Sequence, residues 1–336
     1  MSGTTTEKTP AFALGFLLLW ACNWMFLKAS GYCQTQFQRL ALGYAKDDGN
    51  YFFRPTMKAR RFIQCDVFSP VPLRGNGLAV VVDADGLSDE QMQRFAAWTN
   101  LAETTFLLPP TDLSADYRVR IFTPVREMPF AGHPTLGSCA SWLHTGGKPK
   151  TSRIVRQECG VGIVEIDVSQ APNLSFAAPP TTINEMDPAH RLDILRTLEI
   201  PANAVLNTAE LCNGPTWQFF ELKSVADVLA ADSSKVRWPT FKAIGLFAPH
   251  VAGSECAYEV RMLAPSSGMS EDPITGSLNA AIAKWMLAAG RLQNPYLVAQ
   301  GTSIGRLGRV AVKAESDGVV WIGGQVHIVI EGQTNI

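Results

Sequence analysis

Three ionisable residues of this 336-residue chain have the types and local settings that proton transfer requires. Glu103 lies in the segment Asn100-Leu-Ala-Glu-Thr-Thr-Phe106, directly before an apolar stretch. A carboxyl group beside an apolar strand loses part of its hydration, and this loss raises its pKa toward the range that is useful in general acid–base catalysis. His133 and Asp272 each stand immediately before a proline at the predicted start of a helix.

The chain contains an internal repeat of about half its length. Tyr117-Arg-Val-Arg-Ile-Phe-Thr-Pro124 returns as Tyr258-Glu-Val-Arg-Met-Leu-Ala-Pro265, at an offset of 141 (from 117 to 258). His133-Pro-Thr-Leu-Gly-Ser138 is matched by Asp272-Pro-Ile-Thr-Gly-Ser277 at an offset of 139 (from 133 to 272). A duplicated chain favours two similar lobes with a cleft between them. We expect the unlike residues of the second match, a histidine and an aspartate, to lie at this cleft.

The two proline-containing segments predict two matching helix starts. Pro134 and Pro273 would each lie just before a helix, with Gly137-Ser138 and Gly276-Ser277 in the first turns. Free backbone N–H groups and the helix dipole at such a start favour an anion, for example a substrate carboxylate. The alternative is that both segments are only capped helix starts with a structural role.

The repeat supplies the glutamate only once. At the first offset, 141, the counterpart of Glu103 is Ile244, and at the second offset, 139, the counterpart of Cys139 is Leu278. A facing pair of cysteines, which would favour a two-base racemase, is therefore not predicted, and Cys139 is interpreted as a small core residue. One carboxyl group can act first as base and then as acid, so one glutamate is enough to move a proton within a substrate. The alternative is that Glu103 is a solvated surface residue.

Strands outnumber helices among the elements that must position these residues. In each half we predict several strands around one apolar helix, from Pro134 to Thr145 in the first half and from about Ile274 to Ala289 in the second. Short turns between the strands favour mostly antiparallel pairing. The predicted fold class is α+β, with two pseudo-symmetric lobes, each a mostly antiparallel sheet around a central helix, and a boundary near Pro179-Pro180.

The composition argues against several classes of protein. With 18% charged residues and a net charge of −1, the chain is typical of a compact enzyme and gives no support for a nucleic-acid partner. Seven cysteines without a C-x-x-C pair argue against a disulfide framework or a zinc site and favour a reducing compartment. No phosphate-binding loop or complete dinucleotide loop is present in the sequence. We therefore predict no metal and no organic cofactor.

The segment before Met57 differs from the rest of the chain. Ala11–Leu27 is a run that is apolar except for Gly15 and Asn23, with a length at the lower limit for a membrane span. The strand pattern begins near Met57, and half of the chain from there to its end is close to the repeat offset. We predict an extension at 1–56, either non-native or membrane-proximal, an N-terminal lobe at 57–180 and a C-terminal lobe at 181–336. The expected location is the cytoplasm, with membrane contact only if residues 11–27 are a real anchor.

Five segments between about Lys58 and Gly332 carry a family resemblance when they are taken together and in order. They are Gly75-Asn76, Asn100-Leu-Ala-Glu-Thr-Thr-Phe106, Arg120-Ile-Phe-Thr-Pro124, Phe130-Ala-Gly-His-Pro-Thr-Leu-Gly137 and Glu271-Asp-Pro-Ile-Thr-Gly-Ser277. On these segments the chain closely resembles the phenazine-biosynthesis, PhzF-like family, within the diaminopimelate-epimerase-like fold. The resemblance implies two barrel-like lobes with the active site between them, proton transfer on a small carbon acid without a cofactor, and a homodimer.

The same resemblance assigns site residues position by position. The family's catalytic glutamate falls on Glu103, and its active-site histidine, aspartate and serine fall on His133, Asp272 and Ser277. Backbone N–H groups for the substrate would come from Gly132 and Gly276. The chain departs from the family pattern at three positions where Pro, Ser and Ala are common, namely Gly77, Ala102 and Leu278.

The leading hypothesis is a cofactor-independent isomerase that moves a proton within a small carboxylate-bearing substrate, with Glu103 as acid and base. His133, Asp272 and Ser277 would bind and polarise the substrate. Two alternatives stay open at this point. One is an epimerase or racemase of an amino-acid-like substrate that uses the glutamate and one other base, and the other is a non-catalytic small-molecule-binding protein that has kept the cleft.

Overall fold

The computed structural model describes part of the chain, namely residues 44–47, 50–53, 57–235, 243–264 and 269–336. Contacts between Cα atoms divide the chain into two compact units, Met1–Lys58 and Ala59–Ile336. In the first unit the described residues form an antiparallel hairpin of β1 (Tyr44–Asp47) and β2 (Asn50–Phe53).

The predicted membrane-proximal segment, Ala11–Leu27, lies outside the described residues. Within the described ranges, no helix is both long and apolar enough to span a bilayer.

The second unit is a strand-rich α+β fold. Its strands are β3 (Ala59–Val67), β4 (Asn76–Val81), β5 (Glu103–Leu108), β6 (Tyr117–Phe122), β7 (Glu127–Met128), β8 (Ile154–Cys159), β9 (Gly162–Gln170), β10 (Asn173–Ala177), β11 (Thr182–Asn184), β12 (Val205–Cys212), β13 (Thr216–Leu222), β14 (Ala243–Pro249), β15 (Tyr258–Ala264), β16 (Met269–Asp272), β17 (Tyr296–Gln300), β18 (Gly308–Ala314) and β19 (Val320–Asn335). Its α-helices are α1 (Asp89–Thr99), α2 (Gly132–His144), α3 (Pro188–Thr197), α4 (Val225–Ala230) and α5 (Gly276–Ala288).

The two halves of this unit repeat one topology strand by strand. In the first half β3 pairs antiparallel with β4, β4 parallel with β5, β5 antiparallel with β6, and β6 parallel with β8. In the second half β12, β13, β14, β15 and β17 make the same pairings in the same order. Most pairs are antiparallel, and the strands β3–β19 close into one circuit of hydrogen-bonded neighbours. The predicted fold class is confirmed, while the division at residues 180 and 181 stays a prediction.

Each half surrounds one buried helix. α2 packs against β3, β4, β5 and β10, and α5 packs against β12 and β18. The two helices also contact each other, and β19 contacts both of them. Because most residues of each helix are buried, the surrounding sheet removes the helix from water, and the main apolar core combines residues of the two helices with a larger number from the strands.

The two predicted central helices agree with α2 and α5 to within two residues at each end. A capping box begins α1, since the Ser88 side chain accepts from the backbone N–H of Gln91 and the Gln91 side chain accepts from the backbone N–H of Ser88. No helix or strand was predicted between residues 173 and 212, although this segment contains β10, β11, α3 and β12. A local pattern for α3 existed, because Asp187 is its N-cap and Pro188 its first residue.

The two predicted helix starts are not equivalent in the way that the sequence match suggests. α2 begins at Gly132, so Pro134 is its third residue, and Gly137 lies in the second turn. α5 begins at Gly276, three residues after Pro273. The prediction that both prolines lie just before their helices is therefore wrong for Pro134, which the first turn tolerates because its N–H groups have no intrahelical partner. Aligned as helices, Gly132 matches Gly276, an offset of 144 instead of 139.

Candidate active site

All six residues assigned from the sequence line a single cleft of about 750 Å³ in the second unit. They are Glu103, Gly132, His133, Asp272, Gly276 and Ser277. The cleft lies where α2 and α5 begin, so both halves of the repeat contribute to its wall.

The two helix starts touch each other through their first glycines. A Cβ atom on Gly132 would lie 2.6 Å from the Cα atom of Gly276, and a Cβ atom on Gly276 would lie 3.0 Å from the Cα atom of Gly132. Neither N-cap residue, Ala131 or Thr275, makes a side-chain capping bond. First-turn N–H groups of both helices are thus left to other partners, and the positive ends of two helix dipoles meet at one place, which favours an anion.

Glu103 is the first residue of β5, where it pairs with Leu78 of the parallel strand β4. Its side chain is only 15% exposed. Burial, with a smaller contribution from the negative charge of Asp272, holds the pKa of the Glu103 carboxyl well above its ordinary range. The carboxyl of Glu103 is therefore more basic than that of a solvated glutamate, a property that general acids and bases share.

A histidine ring faces this carboxyl. The Nε2 atom of His133 lies 3.3 Å from the Oε2 atom of Glu103, yet within the described residues neither atom has a hydrogen-bond partner. Burial lowers the pKa of His133 to about 3, so the ring is neutral over the physiological range. Two buried polar atoms without partners in the same cleft are groups that a bound molecule can satisfy.

Asp272, the last residue of β16, places a second carboxyl group in the cleft. Its Oδ1 atom accepts a hydrogen bond of 3.0 Å from Asn76 Nδ2, and its Oδ2 atom accepts one of 2.5 Å from Thr275 Oγ1. Burial raises the pKa of Asp272 to about 6, against the opposing effect of these two hydrogen bonds, and the charge of Glu271 adds to the rise.

A buried glutamine holds the loop between Asp272 and α5. Gln300 Oε1 accepts from the backbone N–H of Thr275 at 3.1 Å and from Asn279 Nδ2 at 2.9 Å, and Gln300 Nε2 donates to Thr275 Oγ1 at 3.0 Å. This residue was not predicted, because Gln300 lies on β17 and no local pattern links it to the helix start. Its role follows only from the parallel pairing of β17 with β15.

One wall of the cleft is apolar, with Met128, Phe130 and Trp217 among its residues. Trp217 Nε1 donates to Asn213 Oδ1 at 3.0 Å, and Asn213 Nδ2 donates to the carbonyl oxygen of Ser277 at 2.7 Å. Asn213 thereby links the indole of the apolar wall to the start of α5.

Strand register identifies the true counterparts of these residues in the other half. The β4–β5 ladder begins at Leu78 and Glu103, and the β13–β14 ladder begins at Trp217 and Ala243. The counterpart of Glu103 is therefore Ala243, one residue from the predicted Ile244, and the repeat still supplies this acid only once. By helix position His133 matches Ser277, and Cys139 matches Ala283 instead of Leu278.

Leu278, one of the departures from the family pattern, does not line the cleft. Its side chain is fully buried against Gly245 of β14, where an added Cβ atom would lie 2.7 Å from Leu278 Cδ1.

The described residues hold no group of three His, Cys, Asp or Glu that could bind a metal ion.

A comparison with known proteins identifies the family. The family model described as "Phenazine biosynthesis-like protein" matches residues 65–332. The chain belongs to this family. The PhzF-like resemblance stated from five sequence segments is thereby confirmed, and relatives in this family carry the name of isomerases.

Individual relatives of this PhzF-like chain agree with the assignment. Antisense-enhancing sequence 1 from Schizosaccharomyces pombe is 34% identical, over 83% of this chain and 100% of its own. The trans-2,3-dihydro-3-hydroxyanthranilate isomerase of Pseudomonas aeruginosa is also 34% identical, over 77% of this chain and 91% of its own. A PhzF-family phenazine biosynthesis protein from Bacillus anthracis has the same fold, with a TM-score of 0.70 at 22% identity, covering 83% of this chain and 100% of that one.

Proposed function

We propose that this protein is a cofactor-independent isomerase in which Glu103 moves a proton between two carbon atoms of a small carboxylate-bearing substrate. The observation that carries the proposal is the buried Oε2 atom of Glu103, which has no hydrogen-bond partner among the described residues and lies 3.3 Å from His133 Nε2. A carboxyl group with a raised pKa and a free oxygen in a cleft is suited to exchange a proton with a bound carbon acid.

In the proposed reaction the Glu103 carboxylate takes a proton from a substrate carbon next to an unsaturated or carbonyl group. The electron pair of the broken C–H bond moves into the conjugated system. The carboxylic acid so formed then returns the proton to a different carbon, and the double bond has changed its position. Negative charge that develops on the substrate would be stabilised by the neighbouring N–H groups of the helix starts and by neutral His133.

The substrate class follows from the walls of the cleft. Gly132 and Gly276 begin two helices without side-chain caps, and these starts would hold the substrate carboxylate, with Asp272 and Ser277 binding its other polar groups. The apolar wall around Trp217 suits an unsaturated carbon skeleton. The name of the Pseudomonas aeruginosa relative, an isomerase of a dihydro-hydroxyanthranilate, supports an unsaturated carboxylate as the substrate.

The test is proton exchange in D₂O, followed by NMR, with trans-2,3-dihydro-3-hydroxyanthranilate and a panel of small unsaturated carboxylates as probes. Glu103→Gln keeps the side-chain shape but removes the base. We expect isomerisation and deuterium incorporation to fall by at least about 10²–10⁴-fold, the usual contribution of general acid–base catalysis. The matched control is Glu185→Gln, which neutralises an exposed carboxylate and should leave the rate unchanged. A Glu103→Gln protein with nearly normal turnover would rule out the proposed role.

A second candidate is an epimerase or racemase, which the position of Asp272 favours. This carboxyl lies in the same cleft and has a pKa raised to about 6, so it could serve as the second base. An epimerase would exchange the α-proton of both stereoisomers of its substrate with solvent deuterium, whereas the isomerase would shift a double bond. If ligands raise the melting temperature but no probe exchanges a proton, the protein binds small molecules without catalysis.

The assembly and the location are proposed from the family resemblance alone. We infer a homodimer, which light scattering would report as twice the chain mass of 36.5 kDa. A cytoplasmic location, with membrane contact only through residues 11–27, stays a prediction that fractionation of cells would test.

A further inference from the structure

One buried amide joins the two halves of the site. Asn76 is the first residue of β4, is 1% exposed, and has three neighbours around its Nδ2 atom. Nδ2 lies 3.0 Å from Asp272 Oδ1, 2.9 Å from the carbonyl oxygen of Ile274, and 3.1 Å from His133 Nδ1. The Gly75-Asn76 segment is part of the family resemblance, but no role was predicted for the asparagine.

These contacts fix the orientation of the amide. A carboxylate oxygen and a carbonyl oxygen can only accept hydrogen bonds, so the nitrogen end of Asn76 must face them. The same nitrogen then faces His133 Nδ1. The NH₂ group has two hydrogens for three acceptors, so one hydrogen is shared, and an amide nitrogen is no acceptor for a proton on the ring.

We propose that Asn76 is a positioning residue that sets the tautomer of His133, because its amide donates to Nδ1 and thereby confines the ring proton to Nε2. In this tautomer the N–H group is on the side of the ring that lies 3.3 Å from Glu103 Oε2. The neutral ring then presents a hydrogen-bond donor, with no partner among the described residues, to a substrate bound in the cleft. This inference rests on the proposed function for its catalytic meaning, but the tautomer itself is a property of the resting protein.

The loop that presents Asn76 is built to hold it. The backbone N–H of Gly75 donates to Asp66 Oδ2 at 2.9 Å, which ties the loop to β3. An added Cβ atom on Gly75 would lie 2.3 Å from the carbonyl oxygen of Val67, so only glycine allows this approach. Gly75 and Asp66 thus place the asparagine between α2 and α5, and this close approach explains why a glycine precedes it.

In the described part of the second half, no asparagine makes an equivalent contact with a histidine ring. The asparagine of its corresponding hairpin, Asn213, donates through its side chain to a backbone carbonyl of α5 instead of a ring nitrogen. The second residue of α5, which matches His133 by helix position, is Ser277 and has no tautomer to set.

The experiment is a long-range ¹H–¹⁵N correlation spectrum of the full chain with ¹⁵N-labelled histidine. The chain has five histidines, and the signals of His133 are those that disappear in His133→Gln. In the wild-type protein near neutral pH we expect a protonated, pyrrole-type Nε2 and an unprotonated, pyridine-type Nδ1 for His133. A His133 ring with its proton on Nδ1, or with protons on both nitrogens, would overturn the proposal without any variant.

Two alanine variants then separate positioning from general stability. In Asn76→Ala we expect the His133 signals to move toward a mixture of both tautomers, and kcat to fall with a smaller change in KM, by roughly the 10–100-fold that is seen when partners orienting metal-bound histidines are lost. The control, Asn279→Ala, removes another buried amide of the α5 start that bonds Thr275 O and Gln300 Oε1 but not His133. It should lower the melting temperature and leave the His133 tautomer unchanged.

The outcomes distinguish this inference from the proposed function. If the ring proton is on Nδ1 while Glu103→Gln still abolishes exchange, the isomerase proposal stands and the role of Asn76 is refuted. If the proton is on Nε2 and stays there in Asn76→Ala, something else sets the tautomer and the inference also fails. If the tautomer responds as expected but Glu103→Gln has no effect on turnover, the inference holds and the proposed function fails.

Discussion

The two halves of Ala59–Ile336 repeat the same strand pairings but differ at residues that line the cleft. The second strand of the parallel pair, β5 in one half and β14 in the other, begins with Glu103 in the first case and with Ala243 in the second. The second residue of the central helix is His133 in one half and Ser277 in the other. The two halves are therefore similar scaffolds with different side chains. The cleft between their central helices contains Glu103 from the first half together with Asp272 and Ser277 from the second.

The two halves also differ in an ion pair that occurs once in each of them, Arg120–Glu127 in the first and Arg261–Glu271 in the second. Arg120 of β6 bonds Glu127 and Asp89 near the surface, with 22% of its side chain exposed. Arg261, its counterpart at the offset of 141, bonds Glu271 with only 5% exposed, and its guanidinium also donates to the carbonyl oxygens of Val228 and Ala231 at the end of α4. The second pair adjoins a site residue, because Glu271 precedes Asp272.

The largest expected effect on stability comes from breaking the buried pair. Arg261→Met would leave the Glu271 carboxylate buried without its cation, and the loss of one partner of such a pair costs about 3–5 kcal/mol of unfolding free energy. Urea denaturation at neutral pH measures the difference. Adding Glu271→Gln should restore a large part of the loss, because the uncompensated charge is then removed. A double variant as unstable as Arg261→Met alone would contradict this account.

The next largest effect on stability is expected at Gly245 of β14, which matches Thr105 of β5 by strand register. Gly245→Ala would place a methyl group 2.7 Å from Leu278 Cδ1 in a fully buried region, and overpacking of this kind costs about 1–3 kcal/mol. In a Leu278→Ala background the same change should cost little, because the space has been vacated. A double-mutant cycle in urea should give a coupling of roughly 0.5–3 kcal/mol. Additive effects would show that the two residues do not compete for this space.

Two residues of the cleft, His133 from the first half and Asp272 from the second, should respond to pH in opposite directions. Burial depresses the pKa of His133 from 6.5 to about 3, so its contribution to stability is complete above the unfolded value and is lost as the pH falls. Burial raises the pKa of Asp272 from 3.8 to about 6, so its contribution is complete at low pH and is lost as the pH rises; the raised pKa of Glu103 acts in the same direction.

These opposite signs predict opposite changes of slope in two variants. Between pH values of about 4 and 6, Asp272→Asn should make the unfolding free energy rise more steeply with pH, by up to about 1.4 kcal/mol per pH unit, and His133→Gln should make it rise less steeply. Urea denaturation at several pH values in this window measures the slopes. Curves parallel to the wild type in both variants would show that neither group has a shifted pKa.

The smallest effect is expected at the surface pair. Arg120→Met should change the unfolding free energy by less than about 1 kcal/mol, because partly exposed ion pairs are weakened by water and salt. The same urea measurement as for Arg261→Met gives the matched comparison. Equal losses at Arg120 and Arg261 would mean that burial does not distinguish the two halves.

Repeated strands were predictable from the sequence, and the helix starts were not. Tyr117–Phe122 and Tyr258–Ala264 are equivalent strands, and both keep a tyrosine, a valine and an arginine at the first, third and fourth positions, followed by apolar residues. The match of His133-Pro134 with Asp272-Pro273 was misleading. From the first residue of the strand to the first residue of the helix, the chain is three residues longer in the second half, as the offsets of 141 and 144 show, and a short similar motif is no guide across such an insertion.

The candidate site was predictable as far as single residues carried a pattern. Glu103, His133, Asp272 and Ser277 were named from the repeat and from family-specific segments, and all four line the cleft. Gln300 and Arg261 support Asp272 through long-range pairing of β15, β16 and β17, which no local pattern encodes. The role of Asn76 likewise depends on a contact 196 residues away along the chain.

The long strand β19 has a consequence for how the protein is made. β19 pairs with β3 from Ala59 opposite Asn335 to Val67 opposite Val326, and it also pairs with β10. A nascent first half therefore emerges from the ribosome with two open sheet edges and must wait until synthesis has passed residue 335 before they are covered. Open edges of this kind can pair with other chains, so we expect the unfinished chain to aggregate more readily than the completed one.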